Sequence, residues 1–484
     1  MLLLNLRGPS GPLYRRVYHA LKSAIRAGRL GPAARLPSTR ALAADLGVSR
    51  NTVMLAYEQL AAEGYLVSRD RSATSVADAV PAPPAPVSTE AATSKVRISA
   101  YAQRLIRNPA HPPSGSYAIR PGLRYDFRYG KPAMDEFPRE IWRKMLAARA
   151  RRGSPGTYGY ASPAGYAPLR EALSGYLKRA RGVTCDAEQI VIVNGSQQGF
   201  DLAARVLLDP GDGAVIEEPH YPGSTLPFEA VGAQLIRIRV DEQGLDTARL
   251  PQSARLACVS PCHQFPSGVI MSMERRLALL DWAARAGAWV IEDDYISEFR
   301  YEGRPLEALQ SLDRGGRVIY VGTFSKTLFP ALRLAYLVLP RVLVRPFLAA
   351  KWAADRFSAT LAQEALAEFI ASGHFERYLR RACGRNAARR RALIEALRQH
   401  CGDRVEVAGE GAGVHLLAWL NGVAPREVDA VIAKAAAAGV GLYSIAPYYT
   451  RPLRRAGLLF GYASLDETDI RAGIRKLATL LSTV

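Results

Sequence analysis

Apolar residues near the start of the chain recur at every fourth position, the spacing that places side chains on one face of a helix. The helix that they predict should end at Gly28, because glycine is a common stop signal. Basic residues such as Arg15 and Arg26 occupy the other faces, so this first helix is amphipathic. Its apolar positions are Leu13, Val17, Leu21 and Ile25.

Two further helices and a short two-stranded tail are predicted close behind the first. Ser38 or Thr39 is a suitable N-cap for a short helix that stops at Gly47, and another helix begins at Ser49. Two helices joined by a short glycine-containing turn are typical of a helix-turn-helix. We therefore expect a winged helix-turn-helix domain over residues 1–78.

The composition changes over residues 79–120. This stretch is rich in proline, alanine and serine, as in Pro81-Ala82-Pro83-Pro84-Ala85-Pro86. It lacks the apolar residues that a packed core needs, which predicts a flexible, semi-extended tether between two domains.

Beyond residue 120, over 121–484, short apolar runs alternate with helical patterns. Such alternation indicates α/β architecture with a largely parallel sheet. Ligands bind at the carboxyl ends of the strands in these sheets, so motifs that follow the apolar runs are candidates for a binding site. The predicted strands span residues 189–193, 214–217, 256–260, 288–291, 318–321 and 334–339.

Length and charge narrow the class of protein. A chain of 484 residues exceeds the roughly 250–300 residues at which one core stops growing, so two or more domains are expected. The formal net charge of +20 attracts polyanions, nucleic acid first. No apolar run approaches the roughly 20 residues of a membrane helix, and no signal peptide is evident, so we expect a cytoplasmic protein without a membrane partner. Five scattered cysteines predict neither a disulfide framework nor a metal site.

Candidates for DNA contacts cluster around the third predicted helix, whose first turn carries Ser49-Arg50-Asn51-Thr52. Recognition helices touch base edges with their N-terminal residues, and arginine or asparagine there can bind guanine or adenine through two hydrogen bonds. For any single arginine, a solvated basic face is an equally good interpretation. Side chains just upstream that can meet phosphates or groove edges are Arg35, Ser38 and Arg40.

This segment resembles the GntR superfamily of bacterial regulators. The resemblance begins at Leu36-Pro37-Ser38-Thr39-Arg40, continues through Leu46-Gly47-Val48-Ser49-Arg50 and closes with Glu63-Gly64-Tyr65-Leu66. It implies binding to a double-stranded DNA operator. It does not extend to the tip of the wing, where the family has glycine-rich sequence and this chain has Arg69-Asp70-Arg71-Ser72-Ala73-Thr74.

A second set of motifs follows the predicted strands of the larger region. The run Thr323-Phe324-Ser325-Lys326 comes directly after an apolar strand, and Arg333 stands seven positions beyond the lysine. A lysine in this setting, flanked by hydroxyl groups and followed by an arginine, places a Schiff-base amine beside a phosphate site. Taken alone, the lysine has a simpler interpretation as a surface residue after a strand.

Two further motifs in the sequence favour a Schiff-base site at Lys326. Asp293 ends another strand, and a carboxylate near a pyridine nitrogen keeps that nitrogen protonated, while Tyr295 is a candidate to bind the oxygen of the ring. The turn Asn194-Gly195 links a strand to a helix whose first amides, at Ser196 and Gln197, can bind phosphate. Each motif is explained equally well as a cap or a turn, but their order on one chain favours a pyridoxal phosphate (PLP) site.

Together these segments resemble the fold-type I PLP enzymes of the aminotransferase class, and nearly the whole chain resembles the MocR-type subfamily of GntR regulators. The resemblance implies a homodimer with PLP on Lys326. Carried over to this sequence, it places Tyr221 on the PLP ring, Gln264 on its oxygen side and Tyr160 at the phosphate of the neighbouring subunit. The phosphate site of the chain itself would comprise Ser196, Gln197, Thr323 and Arg333.

One departure from the aminotransferases bears on function. They hold the substrate α-carboxylate with an arginine near the C-terminus, and the corresponding stretch, Leu458-Leu459-Phe460-Gly461-Tyr462-Ala463, has none. Arg451, Arg454 and Arg455 lie nearby, either as a carboxylate clamp or as exposed charges. We therefore expect a PLP-dependent transcription regulator that senses an amine effector, or PLP itself, through an aldimine on Lys326, with at most half-transamination. The alternative is an active aminotransferase with an accessory N-terminal domain.

Overall fold

The computed structural model describes residues 11–68, 74–79, 97–107, 122–135, 137–153, 155–301, 303, 306–409 and 411–482. They form two compact units, of which the first ends at Arg97 and the second begins at Ile98. The first unit contains α1 (Leu13–Arg26), α2 (Thr39–Leu46) and α3 (Arg50–Ala62), followed by the antiparallel hairpin of β1 (Leu66–Ser68) and β2 (Thr74–Val76).

The helices of the first unit begin and end where the sequence predicts. Ser38 Oγ accepts a hydrogen bond from the amide of Ala41 at 3.2 Å, so Ser38 rather than Thr39 is the N-cap of α2. Gly47 ends α2 in the left-handed conformation, and Ser49 caps α3. The wing tip at residues 69–73 lies outside the described residues. The core of this unit is formed by Val17, Leu21, Leu42, Val53 and Leu60, all fully buried.

The helices of the second unit, in chain order, are α4 (Ala100–Arg107), α5 (Arg139–Arg152), α6 (Pro155–Tyr158), α7 (Ala167–Arg181), α8 (Ser196–Leu207), α9 (Pro222–Val231), α10 (Met273–Ala286), α11 (Leu309–Leu312), α12 (Arg341–Asp355), α13 (Thr360–Ala371), α14 (His374–Cys401), α15 (Val428–Ala437) and α16 (Glu467–Leu481). Its strands are β3 (Tyr125–Asp126), β4 (Ile190–Val193), β5 (Gly213–Glu218), β6 (Gln234–Asp241), β7 (Gly244–Leu245), β8 (Ala254–Val259), β9 (Trp289–Asp294), β10 (Val318–Thr323), β11 (Ala335–Val338), β12 (Val405–Ala408), β13 (His415–Leu420), β14 (Val440–Gly441), β15 (Tyr443–Ser444) and β16 (Ala456–Gly461).

The central sheet has the strand order β4-β11-β10-β9-β8-β5-β6-β7. Its middle strands are parallel, which confirms the predicted architecture, while β11 and β7 run antiparallel to their neighbours. Every residue of β4, β10 and β11 is buried, as expected for strands covered by helices on both faces. Apolar clusters on the two sides of this sheet form its core.

The C-terminal part forms a second layer that the sequence does not predict in detail. Strands β12, β13, β16 and β15 pair in that order as an antiparallel sheet. Their apolar faces pack against α14 and α16 in one buried cluster. Among the helices that the structure describes, none is both long and apolar enough to cross a membrane.

The flexible tether predicted for residues 79–120 is interrupted by a docked helix, α4. Arg104 Nε donates to the carbonyl of Ala230 at 2.9 Å, and Tyr101 Oη donates to Asp201 at 3.3 Å. Composition cannot reveal such a helix, because its polar side chains are held by partners a hundred or more residues away. The segments 80–96 and 108–121 lie outside the described residues.

Candidate functional site

The predicted motifs of the second unit meet at the carboxyl ends of neighbouring strands. Val193 of β4 is paired with Ala335, and Ala335 with Thr323 of β10, so the ends of β4 and β10 lie two strand spacings apart. On the other side of β10, Val321 is paired with Asp293 of β9. This is the edge at which open α/β sheets bind ligands.

Lys326 lies just beyond β10, half-buried, with its amine turned towards the segment before α5. Its Nζ donates to the carbonyl oxygen of Gly130 at 2.9 Å. Burial lowers the pKa of the Lys326 amine from its ordinary value, and the negative charge of Asp293 opposes that shift. A lowered pKa makes the amine a better nucleophile near neutral pH, as Schiff-base chemistry requires.

Asp293 and Tyr295 stand together at the end of β9. Burial raises the pKa of Asp293 to about 7, helped by the charge of Asp294 and opposed by that of Lys326. The hydroxyl of Tyr295 is buried and has no hydrogen-bond partner among the described residues. Burial also raises the pKa of Tyr295, so the hydroxyl keeps its proton. Asp293, an acid that a nearby cationic group would ionise, and the unused hydroxyl donor of Tyr295 therefore lie close together. We refer to the region between these two side chains and Lys326 as the cleft.

A tight turn before α8 carries the candidate phosphate site. Gly195 has φ +83°, and an ideal Cβ on it would lie 2.5 Å from Nη2 of Arg333, so only glycine fits against that guanidinium. Arg333 Nη2 donates to the carbonyl of Asn194 at 2.9 Å. The first amides of α8, at Ser196 and Gln197, lack acceptors within their own helix and can bind an anion beside the arginine.

The side chains of the other predicted phosphate ligands are already in use. Thr323 is buried, and its Oγ1 accepts from the amide of Ser325 at 3.2 Å. Gln197 Nε2 donates to the carbonyl of Gly223 at 2.8 Å, which ties the starts of α8 and α9 together. Their contribution to an anion site would come from the hydroxyl proton of Thr323 and from the backbone amide of Gln197.

Gln264, predicted to lie on the oxygen side of the cofactor, is buried and already makes hydrogen bonds within the chain. Its Nε2 donates to the carbonyl of Pro219 at 2.6 Å and its Oε1 accepts from the hydroxyl of Ser267 at 2.6 Å. The side chain thus holds the loop after β8 against the end of β5, and its role as a cofactor ligand stays a prediction. Glu217 lies beside Gln264, and burial raises its pKa to about 8. It is a further buried acid near the strand ends that the sequence did not indicate.

The two predicted tyrosines lie in different places. Tyr221 precedes α9 at the cleft, and its ring packs edge-on against Phe265 with a centroid distance of 5.7 Å. Tyr160 lies on the surface between α6 and α7, 82% exposed, where its ring contacts Arg356 and Phe357. Within the described chain, Tyr160 is therefore not part of the group around Lys326.

The arginines near the C-terminus lie outside the cleft. Arg455 pairs with Glu406 of β12 and stacks on Trp419, and Arg451 and Arg454 are exposed. The strand β16 is buried throughout, and Leu459 packs against Phe265 and Tyr448. The interpretation of these arginines as exposed charges is thus favoured over that of a carboxylate clamp.

The first unit presents a polar and partly apolar surface on α3. Arg50 and Asn51 are exposed in its first turn, opposite the buried side formed by Val53, Tyr57 and Leu60. Met54 shares the exposed face and was missed by the sequence analysis, although its place one turn after Arg50 indicates it. An exposed methionine there can contact a thymine methyl group in a major groove.

The remaining predicted DNA contacts surround this face. Arg40 is exposed on α2, and Arg35 is exposed beside the wing, where its backbone bridges to Ser75. The hydroxyls of Ser38 and Ser49 act as helix caps, and Ser49 Oγ also lies 2.8 Å from Oγ1 of Thr52. These hydroxyls hold the ends of α2 and α3 in place, and they stay open to solvent at the same end as Arg50.

Comparisons with known proteins agree with both units. Residues 13–76 match the model of bacterial regulatory proteins of the gntR family, and residues 132–471 match that of aminotransferase class I and II. The chain is 38% identical over 479 residues to the probable rhizopine catabolism regulatory protein MocR of Rhizobium meliloti, covering 99% of this chain and 95% of the relative. It is 33% identical over 485 residues to the HTH-type transcriptional regulator TauR of Rhodobacter capsulatus, covering 98% and 97%.

Among solved structures, the second unit is similar to kynurenine aminotransferase of Pyrococcus horikoshii in complex with PMP, KYN as substrates and KYA as products. The TM-score is 0.68 at 29% identity, with 74% of this chain and 90% of that chain covered. The residues present fit PLP, since the unused hydroxyl of Tyr295, the acid Asp293 and the turn that only glycine can occupy beside Arg333 match a ring oxygen, a ring nitrogen and a phosphate. The chain therefore belongs to the MocR-type gntR family of DNA-binding transcription regulators, whose aminotransferase class I and II domain takes PLP as its cofactor.

Proposed function

We propose that the second unit is a sensor whose signal is an amine that reacts at the Lys326 site, or PLP itself. The unit forms a homodimer, and occupancy of the site favours one arrangement of that dimer over another. The tether on either side of α4 passes this change to the winged helix-turn-helix. The affinity of the two winged helix-turn-helix domains of the dimer for an operator with two half-sites then changes. The protein acts in the cytoplasm, on the DNA of the nucleoid.

The observation that carries this proposal is the apolar character of β16. The stretch 458–463, which corresponds by resemblance to the part of an aminotransferase that carries the carboxylate arginine, has no arginine, and its Leu459 packs into an aromatic cluster with Phe265 and Tyr448. Arg128 is the buried arginine near this cluster, and its Nε is engaged by Asp126 at 3.5 Å and by the hydroxyl of Tyr443 at 3.0 Å. A carboxylate would have to compete with these partners, so turnover of ordinary α-amino acids is disfavoured.

The wall of the cleft supports an amine as the signal. Tyr129 precedes Gly130, the hydrogen-bond partner of Lys326, and its ring lies 5.9 Å from that of Phe265. Phe265 in turn lies 4.8 Å from Tyr448 and 5.7 Å from Tyr221. Aromatic faces attract ammonium groups and cover apolar bodies, so this wall suits a cationic amine without a carboxylate.

The surface around Tyr160 supports the homodimer. Tyr160 and Trp352, both largely exposed, sandwich the guanidinium of Arg356 at 5.6 Å and 5.0 Å. Aromatic and arginine side chains are typical of the centres of protein interfaces. In the dimer, Tyr160 reaches the phosphate site of the partner subunit, so each site is completed by residues of both chains.

The decisive experiment is an absorbance titration of the PLP-loaded protein with a panel of amines, combined with measurement of operator affinity. We expect a band that is lost in Lys326→Ala and kept in Lys178→Ala, an exposed lysine. One class of amine should shift both the band and the operator affinity, whereas operator affinity that responds only to PLP identifies PLP as the signal. A wild-type protein without a Lys326-dependent band would refute the proposal.

The second candidate function is an active aminotransferase with an accessory N-terminal domain. The intact set of Lys326, Asp293 and Tyr295 favours it, since these groups suffice for the first half of a transamination. Steady turnover of an amine donor and a keto acceptor, with operator affinity unaffected by either, would establish it instead of the sensor.

A further inference from the structure

A charged network lies behind the turn that carries the candidate phosphate site. Lys351 of α12 has a fully buried side chain, and its Nζ donates to both carboxylate oxygens of Asp355 at 2.9 Å. It also contacts the hydroxyl of Ser358 at 3.2 Å and Oε1 of Gln198 at 3.4 Å. A buried lysine with a carboxylate partner is rare, because removing both charges from water is costly.

The carboxylate of this pair holds the phosphate-binding turn from behind. Asp355 Oδ2 accepts from Asn194 Nδ2 at 2.6 Å and from Gln198 Nε2 at 2.7 Å. Gln198 is thereby oriented so that its Oε1 accepts from the amide of Asn194 at 2.7 Å. On the opposite side, the carbonyl of Asn194 accepts from Arg333. Asn194, the residue just before Gly195, is therefore fixed through its side chain, its amide and its carbonyl.

The backbone next to Asp355 is strained in a way that supports a positioning role. Arg356 has φ +64° and ψ −65°, and the amide of Phe357 donates to the carbonyl of Asp355 at 2.8 Å, which is a γ-turn of the costly, positive-φ kind. Such a conformation persists only where the surroundings determine it. Here it ends α12 with the carboxylate of Asp355 directed at Lys351 and Asn194.

We propose that Lys351 and Asp355 are positioning residues that set the Asn194–Gln197 turn for the phosphate group of the cofactor. The inference rests on the proposed phosphate site. Asp355 acts through Asn194 and Gln198, and Lys351 holds the carboxylate in place through its two hydrogen bonds. Neither residue touches the cofactor. The pair should matter for a ligand that carries a phosphate and hardly at all for the same ring without one.

The test compares the binding of PLP and of pyridoxal, which lacks the phosphate, to the cofactor-free full-length protein by absorbance. In Asp355→Asn and in Asn194→Ala, we expect PLP to bind roughly 10- to 100-fold more weakly, the scale of lost hydrogen bonds to a charged group, with pyridoxal weakened less than about threefold. Asn194→Ala leaves the buried pair intact, so it answers the question even where Asp355→Asn folds poorly. Asp241→Asn, which breaks the pair of Asp241 with Arg275 at the other end of the sheet, is the matched control and should leave both affinities unchanged.

A double variant separates positioning from simple stability. Lys351→Met/Asp355→Leu removes the buried lysine together with its partly exposed carboxylate partner, and removing both members of such a pair is often neutral for stability. We expect it to fold and still to lose the preference for PLP over pyridoxal, because Asn194 and Gln198 have lost their acceptor. An unchanged preference in both this variant and Asn194→Ala, or equal weakening of PLP and pyridoxal in both, would overturn the inference. Absence of any Lys326-dependent band in the wild-type protein would instead refute the proposed site itself.

Discussion

The guanidinium of Arg333 rests directly on Gly195, and a Cβ added to that glycine would lie 2.5 Å from Nη2. The contact joins the turn before α8 to the segment that follows the lysine loop, two parts of the chain well over a hundred residues apart. It requires a residue without a side chain at this point, with φ +83° as an added constraint. The geometry of the candidate phosphate site thus requires a residue without a Cβ at position 195.

Gly195→Ala should therefore weaken PLP binding by about tenfold or more, since the new methyl group displaces Arg333 from the turn. Equilibrium dialysis of the cofactor measures the effect. Gly211→Ala is the matched control, because Gly211 has a similar φ of +96° but no atom within 4 Å of an added Cβ. That variant should lose about 1–2 kcal/mol of folding stability and retain its cofactor. Equal loss of cofactor in both variants would contradict the role of the contact.

The acid at the end of β9 predicts a dependence of stability on pH. Burial raises the pKa of Asp293 to about 7, so the folded protein keeps a proton that the unfolded chain releases near pH ~3.9. Between these values the folded state binds more protons, and the contribution of this group to stability falls as the pH rises. Cofactor-free Asp293→Asn should accordingly gain stability relative to the wild type from about pH 4 to about pH 7, as measured by denaturant titration. Tyr295→Phe, which alters the same cleft without removing a carboxyl group, is the control. A constant difference between wild type and Asp293→Asn would show that the acid is not held protonated.

A composite site predicts complementation between two defective chains. Lys326→Ala lacks the reactive amine but still supplies Tyr160, and Tyr160→Ala has the amine but not the tyrosine. When the two are mixed and allowed to exchange subunits, each heterodimer should regain one tight site, giving a fraction of PLP bound with wild-type affinity. Cofactor titration of the mixture measures this fraction. If the mixture binds PLP only as the sum of its parts, Tyr160 acts within its own subunit or not at all.

On the first unit, Arg50→Ala should weaken binding to the specific operator by about 1–3 kcal/mol, the usual scale for an arginine that contacts a base. Fluorescence anisotropy with a labelled operator at fixed salt gives the affinity. Gln59→Ala changes an exposed residue of the same helix outside the face of Arg50 and should have little effect. Operator affinity that is unchanged in Arg50→Ala would reject this residue as a reader of base sequence.

Local signals in the sequence predict much of this structure. Capping by Ser38 and Ser49 and the stop at Gly47 depend on hydrogen bonds within a few residues, so they can be recognised without a fold. The same holds for the apolar strands β4 and β10, whose ends carry the turn at Gly195 and the loop of Lys326.

The parts that escaped prediction depend on distant partners. Gln264 has the polar side chain expected of a ligand. In the folded chain, however, its amide makes hydrogen bonds with Pro219 and Ser267, which the sequence cannot show. Lys351 and Asp355 stand four residues apart, as do many exposed ion pairs on helices, and only the packing of α12 against α8 shows that the lysine of this pair is buried. Sequence spacing does not distinguish a solvated pair from a buried one.

The docking of α4 has a mechanical consequence. Tyr101 is held by Asp201 in the middle of α8, and Arg104 by Ala230 near the end of α9, while the starts of these two helices carry the Gly195 turn and Tyr221. Because a packed helix moves largely as a unit, we expect a shift of either turn to displace α4 as well. The segment that leads back to the first unit is thus attached to the two helices that begin at the candidate cofactor site.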